Sequence, residues 1–235
     1  CQVPINNYGQ PAFFTKYEPG KSGYSFTLNK LPNGKERNFA LFCLADPQCK
    51  NSTQRNRFTK ESVPDIKAHA AEKGVPCYGV TLGDVSYSEG SRNCVSQMPY
   101  LRDHMAKSKI GMPVFQTMGN HDYTYFYGTD NPISADETSS TYNMKAQRAF
   151  EEVFGPIDYS WNRGDVHIVC MRNMQWNSTT DAANYSMGFT DVQYNWLRKD
   201  LELVPKDKMV ILCVHAPIFR NSGNYVEEIE ALLNE

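Results

Sequence analysis

From Asn38 onward the chain repeats one pattern: a short apolar run, then a longer amphipathic stretch, then another short apolar run. The runs are NFALFCLA, PCYGVTL from Pro76, PVFQTMG from Pro113, DVHIVCMR from Asp165 and KMVILCV from Lys208. Each is of strand length and flanked by polar or glycine residues, so each predicts a buried β-strand. Between them, helices are predicted over 62–73 closed by Gly74, over 94–109 closed by Gly111, and over 143–154 stopped by Gly155 and Pro156. Thr190 and Gln193 form a capping-box pattern ahead of a further helix, whose Val192, Trp196, Leu197 and Leu201 share one face. Such alternation predicts an α/β fold with its chemistry on the loops at the carboxyl ends of the strands. The stretch YSWNRGDVHIV instead predicts two strands joined by a tight turn at Arg163 and Gly164, so the sheet structure is expected to be mixed.

Residues 1–36 differ, with four glycines and four prolines among scattered aromatics and a turn signal at Pro32, Asn33 and Gly34. They are expected to form an extension or the tail of a small β module, leaving 37–235 as one large domain. At 235 residues, 40% hydrophobic, the chain is long enough to bury a full core. A net charge of −2 supplies no basic stripe for a nucleic-acid polymer. No apolar run reaches the roughly 18–20 residues of a membrane span. Seven cysteines in no CxxC spacing indicate neither a zinc knuckle nor a regular disulfide framework. Cys43, Cys170 and Cys213 are expected as small buried hydrophobes, and Cys49 and Cys94 as a disulfide between neighbouring loops. No signal peptide opens the sequence as given, which fits a mature, trimmed chain as well as a cytosolic one. The compartment stays open, with an extracytoplasmic or secreted location preferred.

Polar residues gather just beyond the predicted strands. Asp46, Pro47 and Gln48 follow the first, Gly83 and Asp84 the second, Gly119, Asn120, His121 and Asp122 the third, and the last ends in His215. Singly, an Asp or Asn in such a place is a cap or a turn former. Four groups in this order resemble the calcineurin-like metallophosphoesterases, whose pattern runs DxH, GD, GNH followed by an acid, a single His, then GHxH. The resemblance covers about residue 38 to the end, and GNHD is its most specific part. It implies a sandwich of two mixed β-sheets flanked by helices, with two divalent metal ions on the strand-end loops.

Two cations a few ångströms apart repel, and a carboxylate between them offsets that repulsion. By the resemblance Asp84 is that bridge, Asp46 and Gln48 hold the first metal, and Asn120 and His215 hold the second. Two carboxylates against two such ions leave about two positive charges, which suits a phosphate dianion. The implied reaction is hydrolysis of a small phosphate ester or phosphoanhydride by metal-activated water. His121 serves as general acid or charge stabiliser, and Asp122 orients its other ring nitrogen.

Gln48 stands where most members of that family have His, and its harder amide oxygen favours manganese or magnesium over zinc or iron. A DxQ motif also resembles manganese-dependent ADP-ribose and CDP-alcohol diphosphatases, so nucleotide anhydrides join the candidate substrates. No GHxH occurs, so the chain is expected to be a fragment with weak metal retention and poor activity. Asp84 and Tyr87 reproduce the GDxxY spacing of purple acid phosphatases, in which the tyrosine binds iron, although the first motif there is DxG. An acid phosphatase of that branch and a non-catalytic module that binds a phosphorylated ligand are the two alternatives. Arg220 offers a guanidinium to a substrate phosphate. Tyr125 and Phe126, in the long segment after GNHD, stack on a base or pack on the domain surface. His167, within a strand, is expected as a hydrogen-bonded core histidine.

Overall fold

All five predicted runs contain strands in the computed structural model, which describes residues 12–14, 24–28, 38–87, 94–123, 139–176, 185–218 and 223–234. They hold β3 (Ala40–Leu44), β4 (Cys77–Thr81), β5 (Val114–Phe115), β7 (Val166–Cys170) and β10 (Met209–Cys213). Five further strands are β1 (Ala12–Phe14), β2 (Tyr24–Leu28), β6 (Tyr159–Arg163), β8 (Met174–Trp176) and β9 (Tyr185–Met187). β1 and β2 come from the segment expected to be an extension or the tail of a small β module, and β2 runs parallel to β6.

β3, β4 and β5 form one sheet in that order, with both neighbouring pairs parallel. Parallel neighbours need crossovers. Between β3 and β4 the crossover is α1 (Ser52–Arg57), a π turn (Phe58–Ser62) and α2 (Val63–Glu72); between β4 and β5 it is α3 (Met98–His104) and α4 (Lys107–Ile110). The second sheet runs β1-β2-β6-β7-β10 and is mixed. The smaller sheet is parallel throughout its described strands because helices, not hairpins, connect them. β8 and β9 add a small antiparallel pair. The β6–β7 hairpin forms, with its turn one residue later than predicted. Arg163 still pairs with Val166, so Gly164 and Asp165 make the turn, and Gly164 takes the left-handed φ of 55° that this loop requires.

Among the described residues, strand alternation sorts side chains into three cores. Phe42 and Leu44 pack toward a cluster with Phe58, Val63, Met98, Leu101 and Phe150, which joins the parallel sheet to α2, α3 and α6 (Ser139–Phe154). Phe39 and Leu41 face the other way, into a cluster of Tyr78, Val80, Tyr159, Trp161, Ile168 and Cys170 that joins the two sheets. There the fully buried Trp161 stacks on Phe115 at 4.2 Å. Burying a side chain of that size contributes about 2–3 kcal/mol. From β7, Ile168 and Cys170 enter that cluster, while Val169 and, just beyond the strand, Met171 enter the third, with Leu197 of α7 (Asp191–Leu201) and Val226 and Ile229 of α8 (Val226–Leu233).

The predicted capping box is present at α7, with Thr190 and Gln193 bonding reciprocally. His167 is buried and hydrogen-bonded, with Nδ1 2.9 Å from Asn162 Oδ1 and Nε2 2.8 Å from Asp200 Oδ2. Two cysteine expectations are corrected. Cys43 is exposed, because β3 is an edge strand whose Cys43 lines a surface cavity. Cys49 and Cys94 are separate buried thiols, directed at the carbonyls of Pro47 and Asp122 at 3.3 and 3.5 Å. Burial pushes both upward, Cys49 to about 11, which suppresses the reactive thiolate. No helix among the described residues is long and apolar enough to cross a membrane.

Candidate metal centre

The carboxyl ends of three parallel strands lie at one sheet edge, and the loops beyond them take backbone conformations that few side chains adopt. Asp46, Gln48 and Asp84 have φ of 50°, 28° and 51°, where L-residues are uncommon. The loops are bound to one another by Leu82 N–H to the Leu44 carbonyl at 2.9 Å and Gln48 N–H to the Asp84 carbonyl at 3.3 Å.

Two glycines make room for this packing. A Cβ on Gly119 would collide with the Asp84 backbone and carboxylate, and one on Gly83 would meet His215 Nδ1 at 2.6 Å. The glycines of GD and GNHD are thus explained by close approach, and Gly83 also holds φ at 90°.

His215 crosses from the larger sheet to the smaller. Its Nδ1 donates to the Leu82 carbonyl at 2.9 Å, since a carbonyl only accepts. In the neutral ring that leaves the lone pair on Nε2, which lies 2.9 Å from Asn120 Oδ1 and 3.5 Å from Asp84 Oδ1. Ligand atoms of Asp46, Asp84 and His215 all fall within 4.8 Å of one another. Lone pairs converging on one point are what a cation requires, and a backbone carbonyl on the far nitrogen is the usual way a ligating histidine is oriented.

Asp84 is 3% exposed. Burial raises its carboxyl above the usual range, and nearby Asp46 adds to this, while His215, the His121 N–H and the Gln48 amide pull it down. Oδ1 accepts the His121 N–H at 2.9 Å, and Oδ2 accepts from Gln48 Nε2. Two crowded carboxylates, one buried, fit a divalent cation on the chemistry of the donors present.

Asp122 is fully buried and ties the GD loop to its own. Oδ2 accepts the N–H groups of Val85 and Gly119, both at 3.0 Å, and Oδ1 accepts from Ser86 N and Oγ. Burial first, then the nearby Asp84 charge, pushes its carboxyl up to about 6. The Tyr87 ring lies on His121, centroids 4.8 Å apart and nearly parallel, with Lys50 Nζ 4.9 Å from the centre of the Tyr87 ring. Arg220, Tyr125 and Phe126 lie outside the described residues.

Residues 59–233 match the model of the calcineurin-like phosphoesterases, about three quarters of the chain. The chain belongs to the calcineurin-like phosphoesterase family. Comparison with curated proteins gives no match. This phosphoesterase therefore joins a family of metal-dependent phosphoester hydrolases, and its Asp46, Asp84 and His215 form a cluster able to hold a metal.

The phosphoesterase centre also depends on residues that no motif announced. Asn173, 1% exposed, holds Ala216 from both sides: its Nδ2 donates to the Ala216 carbonyl at 2.6 Å, and its Oδ1 accepts the Ala216 N–H at 3.0 Å. The residue after His215 is thereby fixed. The Leu82 carbonyl and Ser86 are similarly silent in sequence, because each acts through a contact between distant segments.

Proposed function

We propose that this phosphoesterase hydrolyses esters or anhydrides of phosphate on small molecules, nucleotides included, using two divalent metal ions on a sandwich of its two main sheets. The observation that carries this reading is the convergence of Asp46, Asp84 and His215 within 4.8 Å, with the His215 tautomer set by Leu82. Bound there, divalent ions supply Lewis acidity toward phosphoryl oxygen and lower the pKa of coordinated water.

The chain's own residues do the rest. Asp84 turns Oδ1 toward His215 and Oδ2 toward the Gln48 amide. Asp84 would be shared between the two ions, with Asp46 and Gln48 holding one and Asn120 and His215 the other. His121, its backbone fixed to Asp84 and its ring against Tyr87, holds a proton toward the leaving oxygen. Asp122 acts as a positioning residue, through the backbone it binds rather than on the substrate. Manganese or magnesium would be the preferred metal, because the Gln48 amide, turned so that its oxygen replaces the Nε2 now facing Asp84, would offer a hard donor.

A hydrolysis panel of aryl phosphates, diesters and nucleotide diphosphates, run with manganese, magnesium, zinc and iron, tests the reading. Chelator-treated protein is expected to be inactive and to recover best with manganese or magnesium. Hydrolysis that persists at full rate after exhaustive chelation contradicts it.

A further inference from the structure

Beside Asp46 and Gln48 a cavity of about 480 Å³ opens toward α1, the π turn and α2. Its lining includes Asp46, Pro47 and Gln48 of the candidate metal loop, the apolar Phe58 and Ile66, and the polar Gln54 and Arg57. Phe58 belongs to the adjoining core and is 8% exposed, so this part of the lining is apolar and fixed. The Arg57 side chain is 79% exposed, paired only loosely with Glu61 at 3.6 Å. An exposed ion pair of this kind is weak and is readily exchanged for another anion.

Two further observations point the same way. Residues 50–62 carry Lys50, Arg55, Arg57 and Lys60 against a single acid, Glu61, in a chain whose net charge is −2. Such a local excess of positive charge draws anions toward the cleft it borders. The helix that carries Arg57 is also interrupted by the π turn at Phe58–Ser62, and π insertions are frequent at functional sites.

We propose that this cavity is a substrate subsite beside the metal centre, and that it selects phosphate esters whose organic substituent has an apolar stem ending in a second anionic group, held by Arg57. The proposal rests on the metal-centre reading above. A guanidinium takes a carboxylate or phosphate through two parallel N–H bonds, which gives direction as well as charge. The apolar stem lies over Phe58 and Ile66, while the reacting phosphate stays at Asp46 and Asp84.

Two rigid phosphonates that differ by one carboxylate, phenylphosphonate and para-carboxyphenylphosphonate, test this by calorimetric titration of the manganese-loaded protein. Wild type is expected to bind the carboxylated compound about fivefold more tightly, the range of one exposed charge-assisted contact. Arg57→Ala and Arg57→Gln bring the ratio to about one, and Arg57→Glu inverts it. A wild-type ratio of one, or a preference that survives in both neutral variants, overturns the subsite and leaves the metal centre standing. Absence of any manganese-dependent binding of phenylphosphonate by wild type removes the metal-centre reading and the subsite together.

Discussion

A single oxygen of Asp122 accepts both the N–H and the hydroxyl of Ser86, at 2.6 and 2.7 Å. The other oxygen takes the N–H groups of Val85 and Gly119. Asp122→Asn therefore places an amide NH2 against backbone donors whichever way it turns, and a buried donor left unpaired costs about 1–3 kcal/mol. Ser86→Ala removes one hydroxyl and is expected to cost about 1 kcal/mol. Urea unfolding of the metal-free proteins measures both. Equal stability of Asp122→Asn and wild type contradicts the assigned bonding.

Asn173 grips Ala216 through both its N–H and its carbonyl, one residue beyond His215. Asn173→Asp keeps the acceptor for the N–H and turns an oxygen onto the Ala216 carbonyl. Manganese affinity is expected to fall about tenfold, the low end for residues that orient a ligand from behind. A lower melting temperature with unchanged manganese affinity would make Asn173 a purely structural residue.

If Gln48 is a metal ligand, its amide oxygen should bias the site toward manganese. Gln48→His exchanges a hard oxygen for an imidazole nitrogen, so the ratio of zinc to manganese affinity is expected to rise at least about tenfold. Competitive titration reads the ratio directly, and an unchanged value removes Gln48 from the ligand set.

Asp158 supplies a pH dependence away from the centre. It is buried, and Oδ1 accepts from Arg172 N–H at 3.0 Å and Gln193 Nε2 at 2.9 Å. Burial raises its carboxyl above the usual value, although the Arg172 guanidinium and these bonds pull the other way. A raised carboxyl pKa means that the folded state binds the proton more tightly. This contribution to stability is complete below the unfolded value of about 4 and is lost as pH rises through the folded value. Asp158→Asn retains Oδ1 and lacks the titration. The stability of wild type relative to this variant should therefore decline with rising pH above about 4, and a difference that stays flat contradicts the assignment.

What could be read from residues alone was local or periodic. Thr190 and Gln193 stand three residues apart and formed their capping box. The turn signal at Arg163 and Gly164 found the hairpin and missed its position by one residue, because register is set by the whole ladder and not by the turn alone. PVFQTMG promised a full strand, yet among the described residues only Val114 and Phe115 pair before the chain reaches the GNHD loop. The π turn left no signature, and the stretches forming β8 and β9 lack the long apolar runs that mark buried strands. At the centre, the strand-end motifs pointed to Asp46, Asp84 and His215, which do come together. Contacts such as His215 with Leu82, Asn173 with Ala216 and Tyr87 with His121 join residues far apart in the chain, or rings whose facing depends on packing, and no spacing rule reports them.

Crystals of the manganese-loaded protein, measured for anomalous scattering at the manganese edge, test the central claim most directly. A peak bounded by Asp46, Asp84 and His215, with an Asp84 oxygen in its coordination sphere, is the predicted result. Anomalous density elsewhere, with none among these three side chains at saturating manganese, contradicts it.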